Sequence, residues 1–289
     1  MKIVFAGLGV MGAPMAGHLV KAGLSVTGYN RSHDKAQVWA ETHGAPVEAD
    51  FERAVSTADI LVLCVGNDTD VRGLVSRAMN AMRSGSLIID HTTTSAKLAR
   101  ELFDVCASKG IEFVDAPVSG GQAGAVNGQL SIMVGGSANA VERAQTILAP
   151  YAKSVTHIGE AGAGQLAKMA NQIAITGAVQ GVAEALHFTK SAGLDPALVF
   201  DAISKGAAGS WQMENRWATM AADTYDFGFA VDWMRKDLGI ALDEARSNGA
   251  HLSVAALVDQ FYSEVQTMGG KRWDTSSLHA RLEDRRKKL

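Results

Sequence analysis

Lys2-Ile3-Val4-Phe5-Ala6-Gly7-Leu8-Gly9-Val10-Met11-Gly12 is a short apolar run that meets a G-x-G-x-x-G turn, and a helical pattern from Ala13 to Ala22 follows at once. Each glycine has a physical reason. Gly7 permits the tight turn, Gly9 lets a pyrophosphate approach bare backbone, and Gly12 lets the helix pack against the strand. The helix N-terminus then offers N–H groups and a positive dipole end to phosphates. A lone G-x-G-x-x-G is weak, because glycine-rich turns are common. Here the strand before it and the helix after it point to a dinucleotide site built on Gly7, Leu8, Gly9, Val10, Met11 and Gly12.

The second strand pattern, Leu24 to Tyr29, ends where an NAD-selective protein places an Asp or Glu on the ribose 2′-OH. This chain has Asn30-Arg31-Ser32 there. A carboxylate repels a 2′-phosphate, whereas a guanidinium grips it with two parallel hydrogen bonds and Ser32 adds a third. NADP(H) is therefore the expected cofactor, with NAD(H) the alternative. The plainer reading of Arg31 is a solvated residue opening the next helix.

Bulk properties suit an enzyme of two domains. The chain has 289 residues and a net charge of −3, so nothing draws it to nucleic acid or to an anionic membrane. One basic cluster, Arg281 with Arg285-Arg286-Lys287-Lys288, is interleaved with Glu283 and Asp284 and reads as a solvated tail. Cys64 and Cys106 lie in apolar stretches and read as buried, reduced thiols of a cytoplasmic protein. No signal peptide and no apolar stretch of transmembrane length is read.

The rhythm of the chain changes near residue 160. Before it, strand patterns at Ile60–Val65, Leu87–Asp90, Ile111–Val114, Ser131–Val134 and Val155–Ile158 alternate with helical stretches such as Asp70–Met82 and Ser95–Ser108. That alternation predicts an α/β fold, a Rossmann-type doubly wound sheet over 1–161 with ligand at the C-terminal strand edges. After Gly159 the strand signals stop. Gly162–Ala192 reads as one long interdomain helix, and Ala197–Ile203, Val231–Arg246 and Ser253–Met268 continue the helical periodicity, giving an all-helical domain over 162–289. Asp195-Pro196 is a helix start, a cap followed by proline.

The long helix opens Gly162-Ala163-Gly164-Gln165-Leu166-Ala167-Lys168-Met169-Ala170-Asn171-Gln172. Lys168 shares a face with Asn171 and Gln172 at i+3 and i+4. Alone, such a lysine is most often a snorkelling surface residue. Gly162, Gly164, Ala167 and Ala170, however, let other backbone or a ligand come close.

Together these residues resemble the β-hydroxyacid dehydrogenase family, and the likeness spans essentially the whole chain. Its motifs are Gly7-Leu8-Gly9-Val10-Met11-Gly12 continuing to Met15 and His18-Leu19; Asp115-Ala116-Pro117-Val118-Ser119-Gly120-Gly121; Gly162-x-Gly164 through Lys168 to Asn171-Gln172; and Phe229 with Lys236-Asp237-Leu238. The resemblance implies hydride transfer between NADP(H) and a short β-hydroxyacid or semialdehyde, with Lys168 as general acid and base. It further implies that Ser119, Gly120 and Gly121 bind the substrate carboxylate and that Phe229, Lys236 and Asp237 close over the cofactor. Many members place an asparagine four residues after the lysine. Here that position is Gln172 and Asn171 stands at i+3, so either amide is a candidate to orient substrate.

The chemistry follows from those roles. A free lysine titrates at about pH 10.4, and desolvation together with the positive nicotinamide ring would lower it towards a useful base. Ser119-Gly120-Gly121 can offer successive N–H groups and a hydroxyl to a carboxylate; the plainer reading is a tight loop after a strand. Val65, Gly66 and Asn67 are expected to border the cofactor path and Thr93 to reach the nicotinamide side. The plainer reading of Lys236-Asp237 is an exposed pair on a helix. No metal site is expected; His91 alone, near the nicotinamide, draws notice. Trp211 could line the substrate pocket, and Trp217 and Trp233 read as packing. A homodimer or homotetramer is expected. Two rival functions, a non-catalytic NADP-binding protein and an imine reductase, are both opposed by Lys168.

Overall fold

The structure, a computed structural model, describes residues 1–287. The side chains of residues 285–289 lie outside the described residues, and with them most of the expected basic tail. The chain divides into two compact units, Met1–Lys168 and Met169–Leu289.

The first unit runs β1 (Lys2–Ala6), α1 (Gly12–Lys21), β2 (Ser25–Tyr29), α2 (His33–His43), α3 (Phe51–Ser56), β3 (Ile60–Leu63), α4 (Asp68–Ala81), β4 (Leu87–Asp90), α5 (Ala96–Ala107), β5 (Glu112–Asp115), β6 (Val118–Ser119), α6 (Gly121–Val126), β7 (Leu130–Gly135), α7 (Ala138–Leu148), β8 (Ala152–Gly159) and the first turn of α8 (Ala163–Ser191). The strands form one sheet in the order β2-β1-β3-β4-β5-β7-β6, with β8 on β7. From β2 through β5 all neighbours are parallel. Strand order reverses at β1, and doubly wound sheets take their ligands at such a point, outside the carboxyl ends of the strands, here β1 and β3.

The sheet is covered on both faces, which explains why β3 and β4 are apolar almost without alternation. Ile3, Phe5, Val62 and Ile89 pack with Met15, Leu19, Trp39 and Ile147 on one face. Val4, Ala6, Leu61, Leu63 and Ile88 pack with Phe51, Val71, Val75 and Leu102 on the other.

The second unit contains the rest of α8, then α9 (Pro196–Ile203), α10 (Trp211–Ala221), α11 (Val231–Asn248), α12 (Ser253–Thr267) and α13 (Leu278–Lys287). Asp195 caps α9 by accepting the Ala197 N–H at 2.8 Å. The core gathers Val179, Leu186, Trp217, Met234, Leu238, Tyr262 and Leu278. No helix among the described residues is long and apolar enough to cross a membrane.

Two readings of the sequence are corrected. Arg281 is not part of a solvated tail: it is 4% exposed, with its guanidinium 3.7 Å from the Phe261 ring centroid and 3.3 Å from Glu264. Alternation of charge along Leu278–Lys287 hid the fact that one face of α13 packs. Cys106 is buried as expected, but Cys64 is only half-buried, because it follows β3 where the chain turns out of the sheet.

Candidate active site

At the end of β1, Gly7 has φ +103°, and its N–H donates to the Tyr29 carbonyl at 2.9 Å. A side chain there would strike the Cys64 carbonyl, and one at Gly12 would strike the Gly7 carbonyl. Gly9 differs. Its φ lies outside the left-handed region, and a Cβ there would meet nothing within 4 Å. Nothing in the chain itself requires glycine at position 9, so the open space above it fits a pyrophosphate laid on the backbone. Leu8 is buried, while Val10 is 57% exposed and Met11 is half-buried at the N-cap of α1.

Asn30 holds the turn from below: its Oδ1 accepts the Leu8 N–H at 3.0 Å and its Nδ2 donates to the Ser32 carbonyl at 3.0 Å. Arg31 and Ser32 are both exposed. The Arg31 guanidinium lies 3.7 Å from the Asp70 carboxylate, an acid that the sequence reading missed because it sits on α4, far along the chain.

Val65, Gly66 and Asn67 continue from β3. The Val65 N–H donates to Thr92 Oγ1 at 3.0 Å, and Asn67 caps α4 by accepting the Asp70 N–H at 3.0 Å. The Thr92 N–H in turn reaches Asp90 Oδ1 at 2.9 Å. Burial pushes the Asp90 carboxyl up to about 7. His91, next to it, is structural. Its ring lies 2.6 Å from the Ala116 carbonyl through Nδ1 and 2.8 Å from the Tyr151 hydroxyl through Nε2, and burial lowers its pKa to about 4. A neutral ring donating from Nδ1 and accepting at Nε2 serves both partners.

Thr93, half-buried, lies between two residues gripped by one side chain. Gln165 Oε1 accepts the Thr94 N–H at 3.1 Å, and Gln165 Nε2 donates to the Thr92 carbonyl at 2.8 Å. The start of α8 is held equally firmly from β5. Asp115 accepts the Gly162 N–H at 2.7 Å and the Gln165 N–H at 2.9 Å. Burial raises the Asp115 pKa, opposed by these backbone donors. At Gly164, a Cβ would lie 2.6 Å from the Met133 carbonyl and 2.7 Å from that of Asp115. Backbone, rather than ligand, accounts for the small residue there. Three residues beyond Gln165 comes Lys168, which is 7% exposed and thus no snorkelling surface residue.

The loop after β5 continues through β6, where Ser119 pairs with Ser131 of β7. Gly120 and Gly121 follow with φ of +132° and +61° and lead into α6. Both are exposed, and Ser119 is half-buried.

Within the second unit, Asn171 Nδ2 donates to Gln172 Oε1 at 2.8 Å, and Gln172 Nε2 donates to Asp237 Oδ2 at 2.7 Å. Lys236 Nζ is 3.0 Å from Asp237 Oδ1, and Asp237 is 2% exposed. The exposed-pair reading of Lys236-Asp237 is thereby set aside. Phe229 is held at both ends of its peptide: its N–H donates to Asp274 Oδ2 at 2.9 Å and its carbonyl accepts from Thr275 at 3.0 Å. Trp217 is 3% exposed, whereas Trp211 is 55% exposed, with the Arg216 guanidinium 4.9 Å from its ring, and Trp233 is 40% exposed.

Two family models match successive parts of the chain. Residues 2–159 match the family described as the NAD-binding domain of 6-phosphogluconate dehydrogenase. Residues 162–282 match the family described as NAD-binding of NADP-dependent 3-hydroxyisobutyrate dehydrogenase. An uncharacterized oxidoreductase of Shewanella frigidimarina is 57% identical, covering 99% of each chain. The 2-(hydroxymethyl)glutarate dehydrogenase of Eubacterium barkeri is 34% identical over 96% of this chain and 93% of its own. Among solved structures, the 3-hydroxyisobutyrate dehydrogenase of Mycobacterium tuberculosis, with L-serine, superposes with a TM-score of 0.89 at 32% identity, covering 97% of this chain and 98% of that one.

Proposed function

This chain belongs to the β-hydroxyacid dehydrogenase family of NAD(P)-dependent dehydrogenases, and from that premise we propose that it reduces a short semialdehyde acid with NADPH, and oxidises the hydroxyacid in reverse, with Lys168 as general acid and base. The observation that carries this reading is a buried lysine one turn into a helix whose start is fastened to the carboxyl edge of the sheet.

A bound nicotinamide cofactor supplies or accepts the hydride. The residues of the chain do the rest. Gly7, Leu8, Gly9, Val10, Met11 and Gly12 hold the pyrophosphate, Asn30 fixes that turn, and Arg31 with Ser32 takes the 2′-phosphate. Val65, Gly66, Asn67 and Thr93 border the cofactor, and Phe229, Lys236 and Asp237 close over it. Ser119, Gly120 and Gly121 bind the substrate carboxylate. In reduction, Lys168 Nζ gives its proton to the oxygen that becomes the hydroxyl; in oxidation the neutral amine takes it back. Asn171 or Gln172 orients the substrate.

A homodimer or homotetramer is part of the same reading. Phe188, Leu194 and Leu198 are 70%, 52% and 68% exposed, while α9 half-buries Val199, Phe200 and Ile203 against the core and leaves Leu198 outside it. The apolar exposure at Phe188, Leu194 and Leu198 is typical of a surface covered by another subunit.

Lys168→Ala is the test. It is expected to leave folding and NADPH binding nearly intact while lowering kcat by roughly two to four orders of magnitude on the best oxo-acid substrate. Near-normal turnover in that variant would remove Lys168 from the chemistry.

A further inference from the structure

We propose that Gln165 is a positioning residue for Lys168, locking the first turn of α8 in rotation against the peptide groups on either side of Thr93. The inference rests on the reading of Lys168 as the proton-transfer residue.

Gln165 is fully buried, and both ends of its amide are used on a single target. The oxygen takes the Thr94 N–H at 3.1 Å and the nitrogen gives to the Thr92 carbonyl at 2.8 Å. These two backbone groups flank Thr93, so the amide bridges the segment at that residue and holds its conformation. A primary amide offers an acceptor and a donor side by side, matching what this pair of groups demands. A leucine of similar length would leave a buried N–H and a buried carbonyl short of partners. An ionised glutamate would accept from Thr94 but set its second oxygen against the Thr92 carbonyl.

The geometry bears on Lys168 through the helix. Asp115 receives the Gly162 and Gln165 N–H groups, which fixes where α8 starts. Both donors are main-chain groups about 2 Å from the helix axis, so they resist rotation about it with only a short lever arm. Gln165 reaches out from the axis, and its bidentate grip stops that rotation. Residues three apart are neighbours on one helix surface, so Lys168 turns with Gln165. At about 6 Å from a helix axis, a 10° turn moves an atom by about 1 Å. A misplacement of about 1 Å can cost about a hundredfold in rate.

The experiment is a double-mutant cycle on the full chain, with Gln165→Leu, Lys168→Ala and the pair, each checked for its thermal midpoint and NADPH binding. Gln165→Leu is expected to lower kcat about ten- to hundredfold while shifting KM for the oxo-acid less than about threefold. In the Lys168→Ala background the same change should cost less than about threefold, because it acts through a group already gone. Gln165→Glu should regain activity relative to the parent as pH falls, since a protonated carboxyl again presents an acceptor beside a donor. It also stands in for the leucine variant in the cycle if that variant does not fold. Unchanged kcat in a folded Gln165 variant, or losses that simply multiply in the pair, would overturn the positioning role. If instead Lys168→Ala alone retains turnover, the reading of Lys168 has failed, and the two failures are told apart.

Discussion

The side-chain amide of Gln172 donates to the buried carboxylate of Asp237 at 2.7 Å, while its oxygen takes a hydrogen bond from Asn171. Both ends of Gln172 are therefore engaged inside the helical unit, and Asp237 in turn pairs with Lys236 at 3.0 Å. The amides beside Lys168 and the lysine proposed to close on the cofactor thus belong to one chain of polar contacts. Gln172→Leu is expected to cost about 1–3 kcal/mol by leaving part of a buried carboxylate without its donor. Urea denaturation at neutral pH reads this, and a loss below about 0.5 kcal/mol would show the bond to be incidental.

Catalytic efficiency is expected to favour NADPH over NADH by roughly tenfold or more, at about 1.4 kcal/mol per decade. The Arg31–Asp70 pair is too exposed and too long to hold the guanidinium strongly, so a 2′-phosphate can displace it. Arg31→Asp should invert the preference. Asp70→Asn should widen it by about two- to threefold, since a competitor for Arg31 is gone. Equal efficiency with both cofactors in the unmodified protein would end the assignment.

Aldehydes without a carboxylate are expected to be poor substrates even when matched in size. Loop donors left unpaired once a substrate shuts water out from Ser119, Gly120 and Gly121 cost roughly 1–3 kcal/mol each. Gly120 has φ +132°, so any side chain there strains the backbone, and Ser119→Ala is the cleaner probe. Its KM for oxo-acids should rise by about tenfold, one lost hydrogen bond to a charged group. Similar kcat/KM for succinic semialdehyde and butyraldehyde would show that this loop does not read a carboxylate.

Asp90 gives a pH-dependent expectation. Its carboxyl is raised from 3.8 to about 7 by burial, with Asp115 and Asp68 adding smaller effects. The folded state therefore keeps a proton that the unfolded state has lost, and stability falls as pH rises from about 4 to about 7. Asp90→Asn preserves the acceptor for the Thr92 N–H and removes this titration. Its stability relative to the parent should climb over that window, by at most about 4 kcal/mol, and level off on both sides. His91, lowered to about 4, slopes the other way in both proteins and so cancels in the difference. A difference that does not vary with pH would mean that Asp90 titrates normally.

Much of the architecture was legible because its signals are local. The strand Leu87–Asp90 appears with the expected bounds, and the long helix and the helix opened by Asp195-Pro196 lie within about a residue of expectation. The helices Ala138–Leu148 and Trp211–Ala221 were not read in advance, although each is capped by a serine three residues before the N–H it accepts. What the sequence could not display was long-range pairing. Gln165 stood in plain view three residues before Lys168, yet its partners lie seventy-one and seventy-three positions away. Asp70 beside Arg31, and Asp237 beneath Gln172, were hidden for the same reason. Asn30 was expected among the cofactor-binding residues, and the hydrogen bond its amide accepts from the Leu8 N–H across the glycine turn was not legible from the sequence.

Asp115 bears on how far this scaffold can be rebuilt. Its carboxylate ends β5, begins the loop that runs to Ser119, and receives the first N–H groups of the helix that carries Lys168. A side chain at Gly135 would come within 2.5 Å of the same carboxylate, and one at Gly164 within 2.8 Å. Two glycines distant in sequence thus hollow out a socket for one acid. Loop and helix are in consequence a single module. A loop grafted from a relative in place of Ser119, Gly120 and Gly121 would keep Lys168 in register only if the graft begins after Asp115 and leaves Gly135 and Gly164 in place.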